Sequence, residues 1–399
     1  MFSTKTHFEA LDKALVSSRQ YWQFLPFERT GYFWEQTSPL VQWLEQLSDQ
    51  DVVQLKSDLP ALAEALSPFI PEADILCRLA DDLQWPLTQE KVQQDAKRGL
   101  DAGIPGRKWH QINAFSRGFE NLNLPFLEWC AGKAHLGRLL ADLHQQSVTS
   151  LEWQASLCEQ GEQQAQKHAL PVTMVCGDAF SDEAGEYVKA HQHAVALHAC
   201  GELHMRLLRV AAENNTEQVT ISPCCYHLIP SKTYQPLSQV AQVSEITLSK
   251  HDLRLPLQET VTAPARIERL RATEMSFRLG FDLLQRDLRN RNAYMPIPNV
   301  KKQIFNQGFA YFCQWAADKK QIALQDDINY DDWLSKGQCR FKKVERMELV
   351  RQLFRRPLEL WLILDRVLFM EQQGYRVSLQ RFCEKSVTPR NFYLHAVKQ

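Results

Sequence analysis

Residues 127–141 read LEWCAGKAHLGRLLA, a short apolar strand that breaks at a small-residue turn and resumes as a helix. A strand, a tight turn and a helix N-terminus aim free backbone N–H groups at one point, which suits an anionic or carboxylate-bearing ligand. Cys130, Ala131 and Gly132 in that turn are therefore candidate cofactor contacts. A pyrophosphate loop of the G-x-G-x-x-G type is absent, because the three positions hold Cys130, Gly132 and His135. That disfavours a nicotinamide or flavin enzyme.

The pattern repeats downstream. After a helix expected over 135–146, the run 148–153 (VTSLEW) ends in Glu152, and an acid at a second strand tip can accept both ribose hydroxyls of an adenosine. A helix over 154–169 leads to the strand 172–175 and then Cys-Gly-Asp-Ala-Phe at 176–180, where Asp178 can accept from an adenine amino group while Ala179 and Phe180 pack on the ring. Runs 194–197 and 219–222 end in His-Ala-Cys-Gly (198–201) and Pro-Cys-Cys-Tyr-His (223–227). Five apolar runs alternating with helices predict an α/β, doubly wound, mostly parallel sheet with ligands beyond the strand carboxyl ends.

These motifs carry a resemblance. Glu128 with its small-residue loop resembles the first motif of class I S-adenosylmethionine-dependent methyltransferases. Together, E-x-C-A-G-K-x-H-L, HACG and CCY resemble the methyltransferase-like protein 25 family, and CC followed by His227 is similar, more distantly, to the transfer-RNA 2′-O-methyltransferase 13 family. The matching motifs span Lys108 to about Ile229, with a further one, SVTPRNFYLHAVK, at the C-terminus. The resemblance implies S-adenosyl-L-methionine as cofactor, a seven-stranded sheet ending in an antiparallel pair, and Lys108 facing the cofactor's methionine carboxylate. Ala134 departs from it, since many relatives carry Gly there.

Composition constrains the setting more than the chemistry. The 46 basic and 47 acidic residues nearly cancel, but 26 basic against 17 acidic from His251 onward leave +9, and 20 against 30 before it leave −10. An anionic substrate such as RNA would favour the basic part, and so would a domain that only neutralises its neighbour. Ten cysteines without a disulfide-framework spacing, no apolar leader and no run of about 18 apolar residues predict a soluble, reducing, cytoplasmic protein with no membrane partner.

The expected layout is a helical N-terminal domain (1–102), a first methyltransferase part (103–255), a mainly helical insertion (256–354), and a last helix with an antiparallel strand pair (355–399). The turn-rich 99–106 segment marks the first boundary. The aromatic run 21–34 reads as bundle core rather than as a base-stacking platform, for want of interleaved cations. A strand is expected over 240–248, an acidic loop over 326–337, helices over 263–292, 297–317 and 347–372, and strands over 375–383 and 391–397. The loop between the last two strands falls on the ligand edge, making Arg390 and Asn391 substrate-rim candidates.

Methyl transfer from a sulfonium requires alignment and, for a protonated nucleophile, a base. His227 is the expected general base, Tyr226 lines or positions the acceptor, and His198 and Cys224 complete the catalytic set, with His198 also bordering the cofactor. Cys200 and Cys225 are expected to contact substrate. The same thiols and imidazoles offer tetrahedral zinc ligands, but adjacent cysteines diverge on a regular strand, so no metal is expected. RNA is the first expected substrate and a protein side chain the second. A non-catalytic cofactor- or RNA-binding module is the alternative raised by Ala134.

Overall fold

The computed structural model describes residues 3–92, 94–119, 123–258 and 265–399, apart from the side chains of Asp82 and Ala265. The chain forms two units, Met1–Val16 with Arg78–Val261 and Arg355–Gln399, and Ser17–Cys77 with Thr262–Phe354. The first 102 residues, expected as one domain, divide between them.

The first unit is built on seven strands: β1 Phe126–Trp129, β2 Val148–Glu152, β3 Val172–Cys176, β4 His193–Cys200, β5 Gln218–Cys224, β6 Tyr375–Arg381 and β7 Phe392–Lys398. Their order is β3-β2-β1-β4-β5-β7-β6, with β1 to β5 parallel and β7 antiparallel to both β5 and β6. This is an α/β, Rossmann-like sheet of seven strands that closes in an antiparallel pair. Every residue of β1 and β5 is buried, as in a sheet covered on both faces. Helices His135–His144 and Ala155–Lys167 pack on β1 to β3, and Glu202–Glu213 and Arg355–Gln372 cover β4, β5 and β6. One core cluster joins Ile112 and Phe115 of helix Gly106–Arg117 to Leu139, Leu140, Val148 and Val195.

The second unit is helical, and the aromatic run lies in its core. Trp22 is fully buried, and Phe24 stacks on Phe33 at 4.4 Å between centroids. Arginines of helices Ala265–Leu288 and Tyr330–Gln352 serve as internal braces: Arg340 and Arg286 both bind Asp282, and Arg346 donates to the carbonyls of Leu44 and Leu47.

Three local expectations need correction. Residues 240–248 form no strand, since helix Gln239–Gln242 occupies the stretch after a Ser238 cap. The acidic run near 330 is a helix start, with Asn329 accepting from the Asp332 N–H and Asp331 and Asp332 in the first turn. The helix expected over 347–372 breaks after Gln352 and restarts at Arg355, placing Pro357 in a first turn where its missing N–H costs nothing. The helix expected from 263 begins at Ala265; residues 263 and 264 lie outside the described set.

Candidate active site

The carboxyl ends of β1 to β3 form one end of the site. Cys130 (φ 61°), Gly132 (φ 61°) and Ala134 (φ 51°) alternate through the left-handed region, folding the turn so tightly that Ala134 becomes the N-cap of helix 135–144. The Ala134 methyl is fully buried in the core cluster, so it is directed away from the open side of the turn. Space for a Cβ is open at Gly132, where glycine answers to backbone conformation alone.

Each predicted carboxylate at these tips is held by a backbone donor. Glu152 Oε2 accepts from the Gly132 N–H at 2.9 Å and Oε1 from the Gln154 N–H at 3.0 Å, leaving one lone-pair direction on each oxygen. Asp178 Oδ1 accepts from the Phe180 N–H at 2.9 Å, with Ala179 buried between them. Glu128 is buried and accepts from Ser150 Oγ at 2.8 Å and from the Gly137 N–H. Burial pushes its carboxyl up to about 7, against the opposing pull of those hydrogen bonds and of Arg138 and Lys108. A Cβ at Gly137 would stand 2.5 Å from Glu128 Oε2, so this glycine permits the close approach.

Burial, then Glu152, Cys200, Asp178 and Glu128, raise the Cys130 thiol to about 12. Glu128 and Glu152 end neighbouring parallel strands, Asp178 follows the next, and Glu152 reaches back to the turn after β1 through the Gly132 N–H. His135 is driven down to about 4 by burial and by Lys108, Arg138 and Lys133. The exposed Lys108, on helix Gly106–Arg117, acts on Glu128, His135 and His198 together.

The ends of β4 and β5 form the other end. The β4–β5 register shifts between Leu197 and Cys200, and His198 (φ 71°) occupies the bulge with an exposed side chain. Its Nε2 lies 3.1 Å from Gln111 Oε1, while the Gln111 amide nitrogen donates to the Val387 carbonyl. With Gln111 so oriented, Nε2 carries the proton and Nδ1 the lone pair. Neighbouring groups that displace water from part of the ring, and then Lys108, lower the His198 pKa although its residue surface stays open. Gly201 clamps the two tips: its N–H donates to the Cys224 carbonyl, the Glu202 N–H donates to the Leu228 carbonyl, and a Cβ on Gly201 would lie 2.1 Å from that Leu228 oxygen.

That clamp brings the thiols together. Cys200 and Cys224 are ladder partners with sulfurs 3.5 Å apart, and Cys225, just past the strand with φ 47°, completes a trio whose sulfurs lie within 4.8 Å of one another. Adjacent cysteines diverge only while the strand stays regular, and the left-handed turn at Cys225 removes the ground for expecting divergence here. Hydrogen bonds from the other two thiols, with His227 and His198, lower the Cys225 pKa.

Three predicted residues lie elsewhere. Tyr226 is buried, its hydroxyl donating to Glu359 Oε1 at 3.1 Å, and so lies beneath the acceptor end instead of lining it. Asn391 is fully buried, its Oδ1 accepting from Arg356 and its Nδ2 donating to the Cys383 carbonyl. Arg390 turns toward Glu359 at 4.0 Å, with its side chain 12% exposed. A rim position on the chain does not secure a rim side chain when a buried carboxylate lies within reach.

Sequence reasoning also missed residues. Trp153, read as the end of a strand run, is 70% exposed directly after Glu152, and with Phe180 (49% exposed) it puts two open aromatic surfaces beside the carboxylates. A large aromatic at a strand tip next to an acid was the available signal. Gln111 and Glu359 act through long-range contacts and left no local signal.

Residues 107–232 match the family described as a methyltransferase domain, a stretch that takes in Lys108, all three carboxylates and the thiol trio. No curated protein matches the chain. Similar solved structures include a precorrin-8w decarboxylase from Methanobacterium thermoautotrophicum (20% identity, 25% of this chain and 53% of that one, TM-score 0.21). They also include a precorrin-6y C5,15-methyltransferase from Geobacter metallireducens (12% identity, 35% of this chain and 72% of that one, TM-score 0.25). A third is an rRNA methylase from Streptococcus thermophilus (10% identity, 30% of this chain and 71% of that one, TM-score 0.24). The chain spans about half, 53%, of the first of these.

Proposed function

We propose that the protein transfers a methyl group from S-adenosyl-L-methionine to an acceptor placed at the β4–β5 tips. The observation that carries the reading is the placement of Glu128, Glu152 and Asp178 at the carboxyl ends of three neighbouring parallel strands, with Glu152 and Asp178 held by backbone donors. In this reading the free lone pairs of Glu152 take the ribose hydroxyls, Asp178 Oδ2 takes the adenine amino group, and Phe180 or Trp153 covers the ring. Lys108 and the helix start at His135 face the methionine carboxylate. The cofactor supplies the activated methyl. The chain's part is alignment and removal of the acceptor's proton, for which the His198 Nδ1 lone pair is the best-defined candidate.

Calorimetry with S-adenosylhomocysteine tests this. Binding that is lost in Glu152→Ala supports the reading, and no binding by the wild type overturns it. RNA is the first acceptor class to examine, on the strength of the family resemblance. The basic excess adds nothing to it, because segments 17–77 (3 basic, 9 acidic) and 262–354 (17 basic, 11 acidic) of the helical unit cancel at 20 each. Tritiated cofactor given to RNA and protein fractions from cells lacking the protein separates the two acceptors; label confined to protein removes RNA.

A further inference from the structure

The acceptor end holds a group that methyl transfer as described leaves unused. Cys200, Cys224 and Cys225 have their sulfurs within 4.8 Å of one another, the closest pair at 3.5 Å, and they are the metal-competent cluster of three or more among the described residues. A zinc ion with Zn–S bonds of about 2.3 Å sets tetrahedral S···S edges of about 3.8 Å, so the trio needs sulfur shifts of less than about 1 Å to close on one. The backbone around it is constrained to give this arrangement. His198 and Cys225 both occupy the left-handed region, at φ 71° and 47°, without being glycine, and Gly201 locks the two tips together. Strain of this kind persists where surrounding structure over-determines it, and it gathers at functional sites.

His227 follows two residues after Cys225, and its Nδ1 is buried with no hydrogen-bond partner among the described residues. A buried ring nitrogen without a partner costs desolvation free energy unless something binds it. Cys200 and Cys225 are partly exposed, which leaves a route of entry.

We propose that Cys200, Cys224 and Cys225 bind one zinc ion at the β4–β5 tips, with the fourth position left to solvent. Each thiol gives up its proton to solvent on binding. Thiolate-rich tetrahedral sites select zinc over hard cations. The assignment does not depend on the methyl-transfer reading, and its readout is separate from cofactor binding.

Untagged protein purified without chelator is expected to carry about one zinc per chain by mass spectrometry of the metal. Stripped and reloaded with Co²⁺, it should show the thiolate charge-transfer and ligand-field bands of a tetrahedral sulfur site. Cys225→Ser should lower zinc content at least about tenfold, and Cys339→Ser, an exposed cysteine in the helical unit, should leave it unchanged. If the serine variant fails to fold, the cobalt spectrum of stripped wild-type protein reads the same site without a substitution. Wild-type protein free of metal, a Cys200–Cys224 disulfide in freshly purified protein, a different stoichiometric ion, or cobalt lacking the thiolate band would each overturn the proposal.

Discussion

At the tips of β1 to β3 the carboxylates are held by donors close in the chain: Glu152 by Gly132 and Gln154, Asp178 by Phe180, Glu128 by Ser150 and Gly137. The tips of β4 and β5 lean on distant parts of the chain. Tyr226 rests on Glu359, 133 residues away, Ser222 donates to the Arg390 carbonyl, and His198 meets Gln111 across 87 residues. The first end is assembled within the β1–β3 segment, whereas the second draws on helix Gly106–Arg117, the sheet's last strands and the helix before them. The two ends thus rest on different supports, so the cofactor and acceptor roles proposed for them can be perturbed separately.

The strongest way to break this contrast is Gly201→Ala. The new methyl would meet the Leu228 carbonyl oxygen at 2.1 Å, in a backbone conformation (φ 59°, ψ −122°) that L-residues avoid. A loss of about 5 kcal/mol in chemical denaturation is expected, and a loss under about 1 kcal/mol would show that the clamp does not organise the acceptor end. Glu359→Ala comes next. Arg356 and Glu359 pair at 2.7 Å with both side chains 2% exposed, so removing the acid strands a buried guanidinium, at a cost of about 3–5 kcal/mol. S-adenosylhomocysteine affinity in the folded fraction should stay near wild type. A parallel collapse of cofactor binding would mean that the two ends are not separately supported.

The same contrast explains what could be read in advance. Strand-tip acids recur with the strand–helix period, so Glu128, Glu152 and Asp178, and with them the sheet, were visible in one dimension. The strands β6 and β7 were visible as two β-prone runs around Thr388-Pro389-Arg390, and their antiparallel return was implied by the family resemblance. Tyr226, Arg390 and Asn391 were misplaced because their partners, Glu359 and Arg356, lie in a helix that shows only apolar periodicity. The thiol trio was underread because its geometry depends on a left-handed residue at Cys225, and β-sequence patterns carry no mark of one. The acidic run at 331–332 was taken for a loop although Asn329 stands where an N-cap belongs.

At the cofactor end, pH sharpens the comparison. Folding raises Glu128 from 4.5 to about 7, so the folded state holds its proton more tightly than the unfolded chain does. The sign is fixed by linkage: this contribution is fully present below about pH 4.5 and is lost as pH rises through about 7. Glu128→Gln removes the ionisation, so the variant should gain on the wild type by about 3 kcal/mol between those limits, read by urea denaturation across pH. A difference that stays flat with pH would place an ionised Glu128 in a better-solvated setting.

Ala134→Gly carries the smallest expected effect and decides whether the departure from glycine matters. Relief of left-handed strain (φ 51°) favours glycine by about 1 kcal/mol. The lost buried methyl costs about 0.8 kcal/mol, and the greater freedom of glycine in the unfolded chain costs about 0.5–1 kcal/mol more. The three nearly offset, so stability should move by less than about 1 kcal/mol. Because the methyl lies in the core cluster with Leu136 and Leu139, S-adenosylhomocysteine affinity should be unchanged. A tenfold gain in affinity would show instead that the methyl crowds the cofactor, and it would move the protein toward a binding module whose pocket has been narrowed.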